Sequence, residues 1–388
     1  MAAGDAPFPC RGRPGGDCDV VIVGAGISGA MLAHRLRDRG DRVLVVDRRP
    51  PLHGSTAAST ALLQFEIDTP LFDLARSIGR ERAERAWRRS AAAVGHLRAL
   101  VRRERIRCAW RDARTLYLAG DAYGRVALRR EADARAAAGV PGDFLDAAAL
   151  ADDFGIERTG AILSDGSAAA DPVRLAAGLL RRAASAGVRV CSPVEIVDIA
   201  ETSRGVTLMA ADGARIEAAR AVFCTGYEVP KAVPRSGHRI KSTWAIASAP
   251  GVVAPAWLAD HLVWEAADPY LYLRLTADGR IVAGGEDEPW SDAHADRRLL
   301  QRKTATIAAK VRALLPGIRF RIAQRWAGAF GETPTGLPVI DRLPGHRRCW
   351  TVMGFGGNGI TYAMIASEVV AAAIAGRPDP DADLYRLP

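Results

Sequence analysis

From residue 19 to residue 47 the chain reads DVVIVGAGISGAMLAHRLRDRGDRVLVVD: an apolar run, a glycine cluster, a mixed stretch and a second apolar run. That order predicts a strand, a tight turn, a helix and a second strand. Residues 81–105 then set Ala83, Trp87, Val94, Leu97 and Val101 near helical spacing among many arginines, which predicts a long helix with a solvated basic face. A strand is expected at 116–118 and an amphipathic helix at 122–138. Asp171-Pro172 opens a further helix through residue 186, with Asp as N-cap and Pro in the first turn.

Short strands separated by turn residues such as Asp212-Gly213 are predicted at 188–191, 194–200, 206–210 and 214–217. AVFCTG, at 221–226, reads as a buried strand ending in a small-residue turn. In PYLYLRL the alternation puts Tyr270, Tyr272 and Arg274 on one face and Leu271, Leu273 and Leu275 on the other. Pattern alone leaves the polar, aromatic face as either a pocket lining or a solvated surface. A strand at 280–284 follows, with Glu286, Asp287 and Glu288 at its end as an expected solvated cluster. WAGAFGETPTGLPVID (326–341) brings the chain back, 349–353 predicts a strand, and GFGGNGITYAMIASEVV runs from glycines 354, 356, 357 and 359 into a helix.

The first glycine cluster carries chemistry. Gly24, Gly26 and Gly29 form G-x-G-x-x-G where a strand gives way to a helix, and Asp47 ends the second strand eighteen residues past Gly29. The first glycine permits the turn, the second lets backbone approach a pyrophosphate, and the third brings helix and strand together. A carboxylate at Asp47 suits a ribose and repels a 2′-phosphate. Dinucleotide binding follows. After Gly54, the hydroxyl residues Ser55, Thr56, Ser59 and Thr60 read either as a helix N-cap or as a loop packing small side chains against a cofactor.

Composition narrows the picture only slightly. With 388 residues, 49% hydrophobic and 25% charged, the chain has room for two domains and the balance of a globular protein. Its net charge of +9 comes almost wholly from arginine, with Lys231, Lys241, Lys303 and Lys310 as the lysines, so we expect no nucleic-acid partner. The six cysteines lack CxxC spacing, which predicts neither a metal site nor a disulfide framework and favours a reducing cytoplasm. No apolar segment is long enough to span a bilayer. Residues 1–18, rich in Gly, Pro and Arg, read as a flexible tail.

The second strand-to-helix glycine turn discriminates between dinucleotides. Its helix N-terminus would stabilise negative charge, and a reduced isoalloxazine ring carries such charge whereas a nicotinamide does not. FAD is the expected cofactor.

In this order, VGAGISG with Asp47, DPVRLAAGLLRRAASAGVRV, AVFCTG, WAGAFGETPTGLPVID and GFGGNGIT, the chain resembles the flavin-dependent D-amino acid oxidase superfamily from residue 19 to about 376. That group includes glycine oxidase and the sarcosine- and dimethylglycine-oxidising enzymes. The resemblance implies an α/β chain: a Rossmann-like FAD-binding domain from 19–75, 145–235 and 325–388, and an antiparallel-sheet substrate domain from 76–144 and 236–324. It implies cofactor contacts from Gly24, Ala25, Gly26, Ile27, Ser28, Gly29, Asp47 and Arg48. Ser55, Thr56, Ala57, Ser59, Val194, Thr225, Gly226 and Gly328 extend that set, and Gly356, Gly357, Asn358, Gly359, Ile360 and Thr361 complete it.

Departures from the family are informative. The flavin-linking cysteine of sarcosine oxidases matches Gly328, and the linking histidine of dimethylglycine-type enzymes matches Ala58, so the FAD is expected to be non-covalent. The carboxylate-binding arginine of glycine oxidase matches Phe330, and a second active-site arginine matches Gly357. The family's active-site tyrosine matches Tyr270, and a pocket methionine matches Asp287. Two lost cations and a gained acid point to an amine without an α-carboxylate, unless Arg274 or Lys241 supplies a substitute clamp. Lys241 is also a candidate for a role with oxygen, against the plain alternative of an exposed lysine.

The expected activity is oxidation of a C–N bond in an amine or amino acid, by hydride transfer to flavin N5 and hydrolysis of the product imine. Tyr270 and Asp287 would position the nitrogen. The electron acceptor stays open among oxygen, a quinone and a carrier protein. Oxidation of a 2-hydroxy acid is the nearest alternative. A tRNA-modifying flavoenzyme and a flavin-binding subunit without turnover are more distant ones.

Overall fold

The computed structural model describes residues 18–228, 239–289 and 292–387. Of the tail expected at 1–18, all but Cys18 lies outside the described residues. Cys18–Val23 is the central strand of a sheet, pairing in parallel with Val43–Val46 on one side and Arg215–Phe223 on the other. Arg189–Cys191 and Cys349–Met353 extend the parallel set, and Val339–Arg342 closes one edge antiparallel. Val20, Val21, Ile22 and residues 43–46 are almost wholly buried, as parallel strands covered on both faces require. The two strands expected at 214–217 and 221–226 are one, because Ala218 and Arg220 continue the pairing with Cys18 and Val20.

Helices Ile27–Leu36, Pro172–Ser185 and Gly359–Ile374 pack on this sheet and share one core with the long helix Arg80–Glu104. The latter buries the stripe its spacing predicts, Ala83, Trp87, Val94, Leu97 and Val101. Asp171 caps its helix by accepting from the Val173 and Arg174 amides at 3.0 and 2.9 Å.

The second sheet runs in the order Ile322–Glu332, Arg239–Ser248, Ile281–Glu288, Leu271–Leu275, His261–Ala266, Arg111–Ala119, Gly160–Ala169, Leu62–Leu63. Its neighbours are antiparallel except for the parallel pair His261–Ala266 and Arg111–Ala119. Helix Arg297–Leu314 covers one face, burying Ile307, Val311 and Leu314 against Trp244, Leu271 and Leu273. The other face looks onto residues 58–60: Trp326 Nε1 donates to the Ala58 carbonyl at 2.9 Å and Arg274 Nε to that of Thr60 at 2.7 Å.

Sheet membership does not follow the expected segments. Leu62–Leu63, Gly160–Ala169 and Ile322–Glu332 pair in the second sheet; the first two, and the last from residue 325 on, sit in stretches assigned to the cofactor side. Helix Arg80–Glu104 packs with the nucleotide-side helices although its stretch was assigned to the substrate side. The chain passes between layers inside a motif-bearing stretch, and hydrogen bonding, not motif position, decides which sheet a strand joins.

Candidate active site

At the first turn, the glycines are fixed by their surroundings. Gly24 has φ +113°, and a Cβ there would collide with the Cys224 carbonyl; a Cβ on Gly29 would collide with the Gly24 carbonyl. The two strands and the helix therefore meet backbone to backbone. Gly226, at the end of the returning strand, lies beside Ser55. Asp47 is held by its own chain, accepting from the Ala25 amide at 2.7 Å and the Arg49 amide at 2.9 Å. Val194 follows it closely, its amide bonded to the Asp47 carbonyl at 2.7 Å. Arg48 stands half-open, paired with Glu228 at 2.8 Å.

Ser55–Ala58 forms a short helix whose N-cap is Gly54, with no side-chain cap, so none of the hydroxyl residues takes the N-cap role read as one alternative for this segment. Thr56 is buried and its hydroxyl accepts from the Ile27 amide at 2.9 Å, while Ser55 and Ala57 are exposed. Ser59 turns back onto the Ala61 amide. Ile27 opens the first helix, Ser28 and Ala25 are buried, and the first-turn amides beyond Ile27 have no carbonyl one turn back inside the helix. Such a cradle of small residues and amides fits a pyrophosphate.

The second turn is bound into the protein more tightly. Asn358 donates to the Glu66 carbonyl at 2.5 Å and Thr361 to that of Gln64 at 2.8 Å, so both side chains are spent on backbone. Gly356 and Gly357 spend their amides on the Gly331 carbonyl and the Asp68 carboxylate, so what this turn can offer a cofactor is the backbone of Gly359 and Ile360 at the head of a 16-residue helix. Gly328 lies next to Ala58: a Cβ on Gly328 would come within 3.6 Å of the Ala58 methyl. The two positions that the sequence resemblance matched to covalent flavin links thus adjoin, and neither has a reactive atom.

Between these turns, the second sheet presents a polar face. Lys241 pairs in register with Phe330, and its ammonium meets Glu332 at 2.9 Å. Tyr270 donates to Asp287 Oδ2 at 2.8 Å. The Tyr270 and Tyr272 rings lie 6.0 Å apart, and burial pushes the phenol of Tyr270 well up and that of Tyr272 to about 12. Both stay protonated as donors. Burial also raises the Asp287 carboxyl, with Thr243, Tyr270 and Lys241 opposing the shift. Its Oδ1 is buried and makes no hydrogen bond of good geometry.

The three adjacent acids do not form a solvated cluster. A β-bulge between Gly285 and Glu288, with Glu286 at φ +62°, splits them. Glu286 meets Lys310 at 2.5 Å and Glu288 meets Lys303 at 2.6 Å, both on helix Arg297–Leu314, and Asp287 turns to the opposite face. Arg274, expected as a possible clamp, is 8% exposed and spends its guanidinium on the Thr60 and Ala170 carbonyls.

Two carboxylates of this site went unseen in the sequence. Glu332 follows Phe330 on one strand, and Asp68 comes from the loop after Leu62–Leu63. Asp68 Oδ2 accepts from the Gly357 amide at 2.9 Å. Burial raises its carboxyl to about 6, against the Gly357 bond, with Glu332 and Asp287 adding to the rise.

Elsewhere, Cys108, Cys224 and Cys349 are buried thiols, Cys18 Sγ donates to the Glu217 carbonyl at 3.6 Å, and Cys191 is disulfide-bonded, a pairing the scattered spacing did not predict. Glu201, His346 and Cys349 converge, but Glu201 already accepts from the Arg347 and Arg348 amides and caps their turn. Among the described residues no helix is long and apolar enough to cross a membrane.

With cradle, roof and polar face in place, the class is that of two-sheet flavoenzymes. The chain belongs to the FAD dependent oxidoreductase family (DAO), which it matches over residues 19–373. The probable oxidoreductase OrdL of Haemophilus influenzae is 22% identical over 369 residues, covering 92% of this chain and 83% of that protein. Glycine oxidase of Geobacillus kaustophilus is 25% identical over 365 residues, covering 91% and 92%. The crystal structure of glycine oxidase from Geobacillus kaustophilus superposes with a TM-score of 0.80 at 22% identity, over 96% of this chain and 98% of that one, and so shares its fold. This chain is an FAD-dependent oxidoreductase.

Proposed function

We propose that the enzyme oxidises a C–N bond of an amine or amino acid, that it prefers amines lacking an α-carboxylate, and that it holds FAD without a covalent link. One observation supports the preference: on the face bearing the Tyr270–Asp287 hydrogen bond, the ammonium of Lys241 is already paired with Glu332. Positions 330 and 357 are Phe and Gly, and the Arg274 guanidinium is occupied by carbonyls. An α-carboxylate would enter a region of negative charge without a bidentate partner.

Residues 24–29, Asp47, Ser55, Thr56 and the 356–361 turn would hold FAD, which supplies the two-electron acceptor. The chain's own residues bind and orient. Asp287, kept near Tyr270 by a 2.8 Å bond, faces the substrate nitrogen and carries an oxygen without a hydrogen bond of good geometry. An amine nitrogen would satisfy it, and Tyr270 would fix the carboxylate's orientation. Water hydrolyses the product imine.

The 2-hydroxy-acid reading has one observation in its favour, the cation of Lys241 on the same face, and Glu332 already neutralises it. Replacing Asp287 with Asn tests the assignment: kcat/KM for an amine should fall roughly 10- to 100-fold, the loss typical of a hydrogen bond to a charged group. Unchanged amine kinetics would remove Asp287 from the site.

A further inference from the structure

Asp68 sits deep in the molecule, ringed by protein groups, and yet its side chain is open. Its carboxylate lies in the cleft between the Gly356–Gly357 turn and the groups of the second sheet that act on it, Lys241, Asp287 and Glu332. One oxygen is anchored on the Gly357 amide. A Cβ on Gly357 would come within 3.1 Å of Oδ1, and one on Gly356 would overlap Oδ2. The carboxylate thus occupies the space into which a side chain at 357 would begin to grow, the position where glycine oxidase relatives carry a cation.

The charged and titratable groups around Asp68 come from every wall of the cleft. Lys241 and Glu332 stand on the paired strands Arg239–Ser248 and Ile322–Glu332, and Asp287 on Ile281–Glu288. Tyr270 precedes Leu271–Leu275, Tyr362 lies on Gly359–Ile374 and Tyr117 on Arg111–Ala119, each phenol raised by burial. Three carboxylates face one ammonium, and that ammonium is matched to Glu332 at 2.9 Å. Among the described residues, Asp68 and Asp287 make no ion pair, and Lys241 acts on them only from a distance. Asp287 adds a buried Oδ1 that meets no donor of good geometry, although the Thr243 hydroxyl also acts on this carboxylate.

We propose that Asp68 is a specificity-determining residue that receives the substrate's ammonium group, so that the cleft selects amines with positive charge close to the oxidised carbon and rejects an α-carboxylate at the Gly357 end. The proposal rests on the amine-oxidation reading above. It also gives the ammonium proton a destination. The substrate enters as the ammonium, an N–H bond breaks as an O–H bond forms on Asp68, and the neutral amine with its nitrogen lone pair remains. No electron moves in this step. A carboxyl held near 6 is ionised at neutral pH, which suits it to accept that proton.

The FAD-loaded protein tests this by binding as well as by turnover. Methylguanidinium, a permanent cation, and acetate are titrated while the flavin absorbance is followed. Wild type should bind methylguanidinium more tightly than acetate, and its affinity should fall as pH drops through about 6, where the Asp68 carboxylate is lost. Asp68→Asn, which still accepts from Gly357, should weaken methylguanidinium roughly 10- to 100-fold and abolish that pH step at unchanged FAD content. Asp68→Ala combined with Gly357→Arg should reverse the order of the two ions. A wild-type affinity for methylguanidinium flat from pH 5 to 8, or an unchanged affinity in Asp68→Asn, overturns the role of Asp68. If wild type is reduced by 2-hydroxy acids and by no amine, the reaction reading fails instead, whatever the titrations show.

Discussion

Three acids in a row, Glu286, Asp287 and Glu288, carry different work because a single bulge turns the middle one away from its neighbours. Glu286 and Glu288 tie the sheet to the lysines of helix Arg297–Leu314. Asp287 meets Tyr270 on the other face. Asp287→Asn should accordingly cut amine kcat/KM while leaving thermal stability near wild type, a pair of results that steady-state kinetics and a melting curve check together. At this scale the sequence was only partly legible. Tyr270 and Asp287, expected from the family resemblance, lie in hydrogen-bond contact, and the alternation in PYLYLRL placed Tyr270, Tyr272 and Arg274 on one face. Asp68 and Glu332 were not found, because each gains its meaning from neighbours more than sixty residues away in sequence. Nor does any local pattern show that the Arg274 guanidinium is consumed by the Thr60 and Ala170 carbonyls.

Between elements, buried charge joins the helix Arg125–Ala137 to its neighbours. Arg135, wholly buried, bonds Glu131 at 2.8 Å, and its guanidinium lies 4.5 Å from the Trp87 ring. Glu131 in turn accepts from the Leu71 and Phe72 amides at the start of Leu71–Ile78. Arg135→Ala would leave Glu131 buried without its cation and should destabilise the fold by about 3–5 kcal/mol. Urea denaturation measures this directly, and a change under 1 kcal/mol would show that the network is not needed. Helices with a regular apolar stripe were legible nearly residue for residue, Arg80–Glu104 among them. Strand boundaries were less so: Arg215–Phe223 was read as two strands, since its middle residues Ala218 to Arg220 give no apolar signal but pair with Cys18 and Val20.

For the molecule as a whole, the proposed cofactor site draws on stretches more than three hundred residues apart, Gly24 at one end and Thr361 at the other. Gly24, Cys224 and Gly29 meet backbone to backbone. The glycine motifs made this assembly legible, because close backbone approach demands residues without side chains. Ala58 and Gly328 adjoin and carry no nucleophile, so acid precipitation should release the flavin into the supernatant; a yellow pellet would reveal a covalent link.

The central claim is that this FAD-dependent enzyme oxidises amines lacking an α-carboxylate. Anaerobic flavin bleaching against simple amines, N-methyl amino acids, D-amino acids and 2-hydroxy acids tests it most directly. Rapid loss of the oxidised-flavin band is expected with amines, and slow or no loss with the carboxylate-bearing compounds. Bleaching by the carboxylate-bearing compounds alone would contradict it.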